Sequence, residues 1–124
     1  MEGAFIGIVS IPVSDTQRSR DWYGEVLGFR IERDEVMEGD TRWIMLRPAG
    51  GGAAITLVTW FPTMVPGSMK GTVLSVPDIE AAAAHLRAQG ALDDGAEIND
   101  APWGRWVAVD DPDGNGWVIQ QPVS

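Results

Sequence analysis

The chain carries one supersecondary pattern twice. Val13-Ser14-Asp15 opens an apolar-periodic run that closes at Leu27-Gly28-Phe29, and Val76-Pro77-Asp78 opens a second that closes at Gln89-Gly90. The two openings lie 63 residues apart in a chain of 124. A repeat of half the chain length implies two copies of one unit, and makes a cleft between or within the copies the place where function is expected.

Around each run the punctuation is the same. Residues 4–13 read as an Ile/Val-rich strand, Ser14 or Asp15 caps a helix with Gln17 placed as in a capping box, and Gly28 ends it. Strands are expected at 29–37, 42–48 and 53–60, separated by Glu38-Gly39-Asp40 and by Pro48-Ala49-Gly50-Gly51-Gly52. FPTMVPGSM, at 61–69, has the Pro and Gly content of a joining loop. A strand at 70–76 follows, then a helix capped by Asp78 and closed by Gly90, then strands near 96–99, 104–110 and 116–121. The expected organisation is a single domain over 1–124, with a first βαβββ module at 1–62, a linker at 63–69 and a second module at 70–124. Helix-face spacing sets His85 away from Ile79, Ala82 and Leu86, toward solvent.

Composition narrows the chemistry. There is no Cys and one His, so thiolate nucleophiles, disulfides and His-based zinc sites have no raw material. Nine basic against eighteen acidic residues give a net charge of −9, which disfavours nucleic acid and permits cationic ligands. No stretch is long and apolar enough to span a membrane and no leader pattern opens the sequence, so a cytoplasmic protein is expected. The unusual figure is six Trp against one Tyr and three Phe. Trp offers the largest contact area and a good face for flat or cationic ligands.

Three segments carry a resemblance. VSDTQRSRDWYGEVLGF resembles the first helix signature of the glyoxalase/bleomycin-resistance/dioxygenase, or vicinal-oxygen-chelate, superfamily. VPDIEAAAAHLRAQGA resembles the matching segment of its second half, and PWGRWVAVDDPDGNGWVIQQP its closing hairpin with the DPDGN turn. The resemblance implies an α+β fold of tandem βαβββ modules, with curved mixed sheets around a ligand cavity, helices outside, and a homodimer. It also implies four inward positions where metal-using members place His, Gln or Glu. These fall on Ile8, Thr56, Gly71 and Val118, of which only Thr56 has a side-chain donor, a neutral hydroxyl. No metal and no other cofactor is therefore expected.

Strand alternation indicates what stands there instead. If Ile44 and Leu46 lie under the helix, Trp43, Met45 and Arg47 face the cavity; if Val107 and Val109 do, Trp106 and Ala108 face it. Val118 and Gln120 point in while Trp117 and Ile119 go under the helix; Trp60 shares the face of Thr56 if its strand extends that far, and Trp103 forms a rim. The expected ligand-binding set is Trp43, Met45, Arg47, Thr56, Trp60, Trp103, Trp106 and Gln120, with Met64 and Met69 as adaptable neighbours. The expected function is metal-independent sequestration of a bulky, partly aromatic natural product or antibiotic, as the resemblance implies. The alternatives are a lyase, isomerase or dioxygenase-like enzyme of the same fold, and a ligand-responsive interaction module.

Overall fold

The computed structural model describes residues 1–39 and 41–123, so Asp40 of the expected Glu38-Gly39-Asp40 turn lies outside the described residues. The first copy comprises β1 (Ile8–Pro12), α1 (Thr16–Glu25), β2 (Arg30–Val36), β3 (Arg42–Arg47) and β4 (Ala54–Val58). The second comprises β5 (Thr72–Ser75), α2 (Ile79–Ala88), β6 (Asn99–Ala101), β7 (Gly104–Asp110) and β8 (Gly116–Pro122). Both ends of α2 fall 63 residues after those of α1. Each copy is a four-stranded mixed sheet, ordered β1-β4-β3-β2 and β5-β8-β7-β6. The first strand of each pairs in parallel with the last, because a helical crossover separates it from its neighbour. Neither sheet closes on itself.

Alternation sets the core. Ile44, Leu46, Val107 and Val109 are buried on the helix side of their sheets, with Ile11, Leu57, Trp117 and Ile119. Tyr23 of α1 packs 5.7 Å from Trp117 of β8, and Phe29 lies edge-on to the same indole at 5.9 Å, so one core spans both copies.

A buried polar knot ties the copies together. Asp111 is 5 % exposed and has four donors. The Tyr23 hydroxyl donates to it at 2.7 Å, Asn115 Nδ2 at 2.8 Å, and the backbone N–H groups of Asp113 and Asn115 at 2.9 Å each. Trp117 Nε1 in turn donates to the Tyr23 oxygen at 2.9 Å. Asn115 Nδ2 also reaches the Pro12 carbonyl at the end of β1, and Asn115 Oδ1 accepts from Met69 N in the joining loop. Gly67 of that loop has φ +82°, and a Cβ there would run into the Asp113 carbonyl.

Several expectations are corrected. Residues 4–7 are not strand, since pairing with β4 begins at Ile8 opposite Ala54. Asp15 alone caps α1, accepting from Gln17 N and Arg18 N. Ser14 instead donates to Asp113 at 2.6 Å, so the expected box with Gln17 does not form. The helix itself stops at Glu25, and Gly28 (φ +71°) shapes the turn beyond it. β4 ends at Val58, short of Trp60. The strand expected near 96–99 is displaced to Asn99–Ala101. Ahead of it, Arg87 holds the Ala96 carbonyl at 2.6 Å, and the acidic segment Asp93–Glu97 carries too little apolar side chain for a sheet. His85 is exposed, as its helix face predicts, and its ring also has partners in the first copy. Its Nε2 lies 3.0 Å from the Val26 carbonyl and 3.3 Å from that of Glu25, satisfying the end of α1 from the other copy.

Burial and the neighbouring Asp111 carboxylate push the Tyr23 phenol pKa far up. A phenol that stays protonated in the fold while its unfolded counterpart ionises near pH 10 contributes stability that is complete below that pH and lost above it. The melting temperature is expected to fall steeply above about pH 10, and more shallowly in Tyr23→Phe. That variant is also expected to be less stable at neutral pH by about 1–3 kcal/mol, because it removes one donor to Asp111 and orphans the Trp117 N–H. Thermal unfolding followed by circular dichroism from pH 7 to about pH 11 measures both effects.

Candidate functional site

Residues directly opposite in a sheet share a face, so the strand register assigns the two surfaces turned away from the helices. In the first copy one row runs Ser10, Thr56, Met45, Arg33, and Glu35 stands opposite Trp43 in the next. In the second copy one row is Val73, Val118, Ala108 and another is Ser75, Gln120, Trp106, Asn99. Trp43, Met45, Arg47, Thr56, Trp106 and Gln120 therefore all stand on these inner faces, as parity required.

Their surroundings differ. Thr56 is buried, and its hydroxyl donates to the Ile44 carbonyl at 3.1 Å. Arg47 is engaged twice, with Glu32 at 2.8 Å and the Gly52 carbonyl at 2.7 Å, which pins the Gly50-Gly51-Gly52 turn. That pairing raises the Arg47 pKa and holds the exposed Glu32 carboxyl below the usual carboxylate range. Gln120 Nε2 donates to Ser75 Oγ at 3.0 Å. Trp103, in the turn between β6 and β7, is 48 % exposed and stacks on Trp106, the ring centres 6.2 Å apart and the planes 22° from parallel. Trp60 lies outside β4, exposed beside Phe61, and so has no sheet face. Met64 and Met69 are half-buried, Met69 against the core.

Sequence reasoning missed Arg33. Its guanidinium lies 4.4 Å above the Trp43 ring, and Nη1 donates to Glu35 at 3.2 Å. A β-bulge between Ile31 and Arg33 resets the register of β2, which places Arg33 opposite Met45, on the Trp43 face. Nothing in the local sequence marks that slip.

The described cavities lie elsewhere. One, of about 560 Å³, sits at the seam between the copies, over Phe29, Leu27, Leu74 and Trp117, with Gly50–Gly52 at its mouth. A wider one, of about 940 Å³, lies between α1, the turn after α2 and β7, and is rimmed by Asp21, Glu25, Asp93 and Asp110. None of the eight expected ligand residues lines either of them. Within one chain those residues form two open aromatic surfaces.

The four positions implied as metal ligands carry no ligand set for a divalent ion. Ile8, Thr56, Gly71 and Val118 offer one hydroxyl, already donated to a carbonyl. Among the described residues no three His, Cys, Asp or Glu side chains gather closely enough to hold a metal. After loading with Mn, Fe, Co, Ni and Zn salts and desalting, mass-spectrometric metal analysis is expected to find no stoichiometric ion.

The profile of the Glyoxalase/Bleomycin resistance protein/Dioxygenase superfamily matches residues 5–119. The chain is 30% identical over 119 residues to the uncharacterized protein YetH of Bacillus subtilis (strain 168), covering 94% of this chain and 97% of that one. Among solved structures it is similar to TnmS3, an antibiotic binding protein from Streptomyces sp. CB03234, with 37% identity, a TM-score of 0.88 and 99% of each chain covered. It is also similar to a glyoxalase/bleomycin resistance protein from the same Streptomyces strain, with 38% identity, a TM-score of 0.80, and 94% of this chain and 99% of that one covered.

Proposed function

The chain belongs to the glyoxalase/bleomycin resistance protein/dioxygenase superfamily, and on that premise we propose that it is a metal-independent binding protein that sequesters a bulky, partly aromatic natural product, in the manner of an antibiotic-binding protein. The observation that carries this reading is the pair of inner sheet faces. They present Trp43 with Met45 and Trp106 with Trp103; the carboxylates described there, Glu32 and Glu35, are held by arginines, and among the described residues no metal-ligand cluster gathers. Such surfaces suit holding a flat apolar molecule by burial and stacking. The similarity to TnmS3 supports the same reading.

In this reading the binding unit is a homodimer. Ile8 and Val73, on the inner faces, are 52 % and 49 % exposed, and Phe5 and Ile6, just before β1, are 86 % and 72 % exposed. β1 and β5 each pair on one side only. A second copy laid against these edges and faces would cover the apolar side chains and turn open surfaces into a pocket. Light scattering after size exclusion is expected to give twice the 13.4 kDa chain mass.

Fluorescence titration against a panel of aromatic antibiotics tests the function. A bound compound is expected to be recovered with unchanged mass, whereas a shifted mass that accumulates with time would mean an enzyme. Trp43→Ala and Trp106→Ala are each expected to weaken binding by about 1–3 kcal/mol without disrupting the dimer. Unchanged affinity in both variants would remove the aromatic faces from the site.

A further inference from the structure

We propose that Arg33 makes the first-copy face selective for planar aromatic anions, a ligand class opposite to the one that the charge of the whole chain favours. The proposal rests on the binding-protein reading and names the ligand class of that same site. Trp43 does not present a bare ring. The Arg33 guanidinium covers it at 4.4 Å, so the surface met by a flat molecule there is a guanidinium plane backed by an indole. A guanidinium stacks on rings from both of its faces and can bond an oxygen anion in its own plane, and a lysine ammonium cannot do both.

The balance of charge on this face points the same way. Arg30 and Arg47 stand opposite one another on it, with Arg33 beyond the bulge; the carboxylates paired with these cations are Glu32 and Glu35. Among the described residues, three cations against two anions make this patch locally positive in a chain of net charge −9. Glu32 is shared by Arg30 and Arg47. Arg33 has only Glu35, at 3.2 Å, in a pair whose side chains are 44 % and 57 % exposed. Exposed pairs of that kind are weak and readily exchanged. One N–H of Arg33 goes to Glu35 among the described bonds, which leaves the rest of a five-donor fork for a carboxylate or phenolate on a stacked ring. Asp34 does not oppose this, because it points to the helix side, where Arg20 and Arg42 hold it.

Calorimetric titration with pyrene carboxylate, pyrene methanol and pyrene methylammonium tests the proposal, since the three share one ring system and differ in charge. The carboxylate is expected to bind about tenfold more tightly than the methylammonium, with the neutral alcohol between them. Arg33→Gln is expected to remove that preference, bringing the carboxylate and methylammonium affinities within about twofold of each other, and Arg33→Lys to restore only part of it. Thermal unfolding of both variants, at this exposed position, verifies that the fold is retained. Equal or reversed affinities for the two charged probes, with binding still weakened in Trp106→Ala, would overturn the role of Arg33 and leave the binding-protein reading in place. No binding of any probe would overturn both.

Discussion

The structure depends on one buried carboxylate. Asp111 sits almost out of solvent, without a salt bridge among the described residues, and its charge is met by four hydrogen-bond donors, two from backbone and two from side chains. Burying an anion without such donors is prohibitive, so the turn that carries Asp111 must keep one shape, and Tyr23 must come to it from the other copy. Through Asn115 the same turn holds the end of β1 and the joining loop, and through Ser14 and Arg18 it holds the start of α1. Chain segments as distant as Pro12 and Asn115 are thereby locked together, and the aromatic core of Tyr23, Phe29 and Trp117 packs around the lock.

The two copies use their equivalent turns differently. Between β7 and β8 stand five residues, Asp111–Asn115, rich in side-chain acceptors; between β3 and β4 stand six, Pro48–Ala53, with three glycines and no polar side chain. The first kind knots the copies, and the second lies over the apolar seam cavity. Because the helix-side surfaces are consumed in joining the copies, the opposite faces are what remains for other molecules. They carry Trp, Met and small polar groups, and on the first copy a row of Arg–Glu ion pairs. At the four positions where the family resemblance implies metal ligands this chain has Ile8, Thr56, Gly71 and Val118, and under the proposed reading the faces act as stacking surfaces.

Much of this was legible in the chain. The 63-residue repeat, Asp15 and Asp78 as helix caps, and the alternation that buries Ile44, Leu46, Val107 and Val109 all follow from local periodicity, and the structure has each of them. Trp43 and Trp106 occupy the faces that parity assigned to them, because alternation in a strand is a local geometric rule. What failed was of a different kind. Trp60 fell outside its strand because β4 ends at Val58, opposite the last residue of β1, and Arg33 reached Trp43 only through a bulge. His85 found the end of α1 across the copy boundary, and DPDGN, which reads as an ordinary turn, proved to be the crosslink.

The sequence by itself determined the period, the helices, the faces of Trp43 and Trp106, and a composition with no Cys and a single His. These depend on neighbours within a few residues, where spacing, capping and composition act directly. Only the tertiary structure decided which polar groups meet. Tyr23 with Asp111, Asn115 with Pro12, His85 with Val26 and Arg33 with Trp43 are each fixed by packing, register or a bulge. A hydrogen bond or a stacked cation requires two groups within a few ångströms, and that distance is set by how the sheets and helices are assembled rather than by the local pattern of the residues that make it.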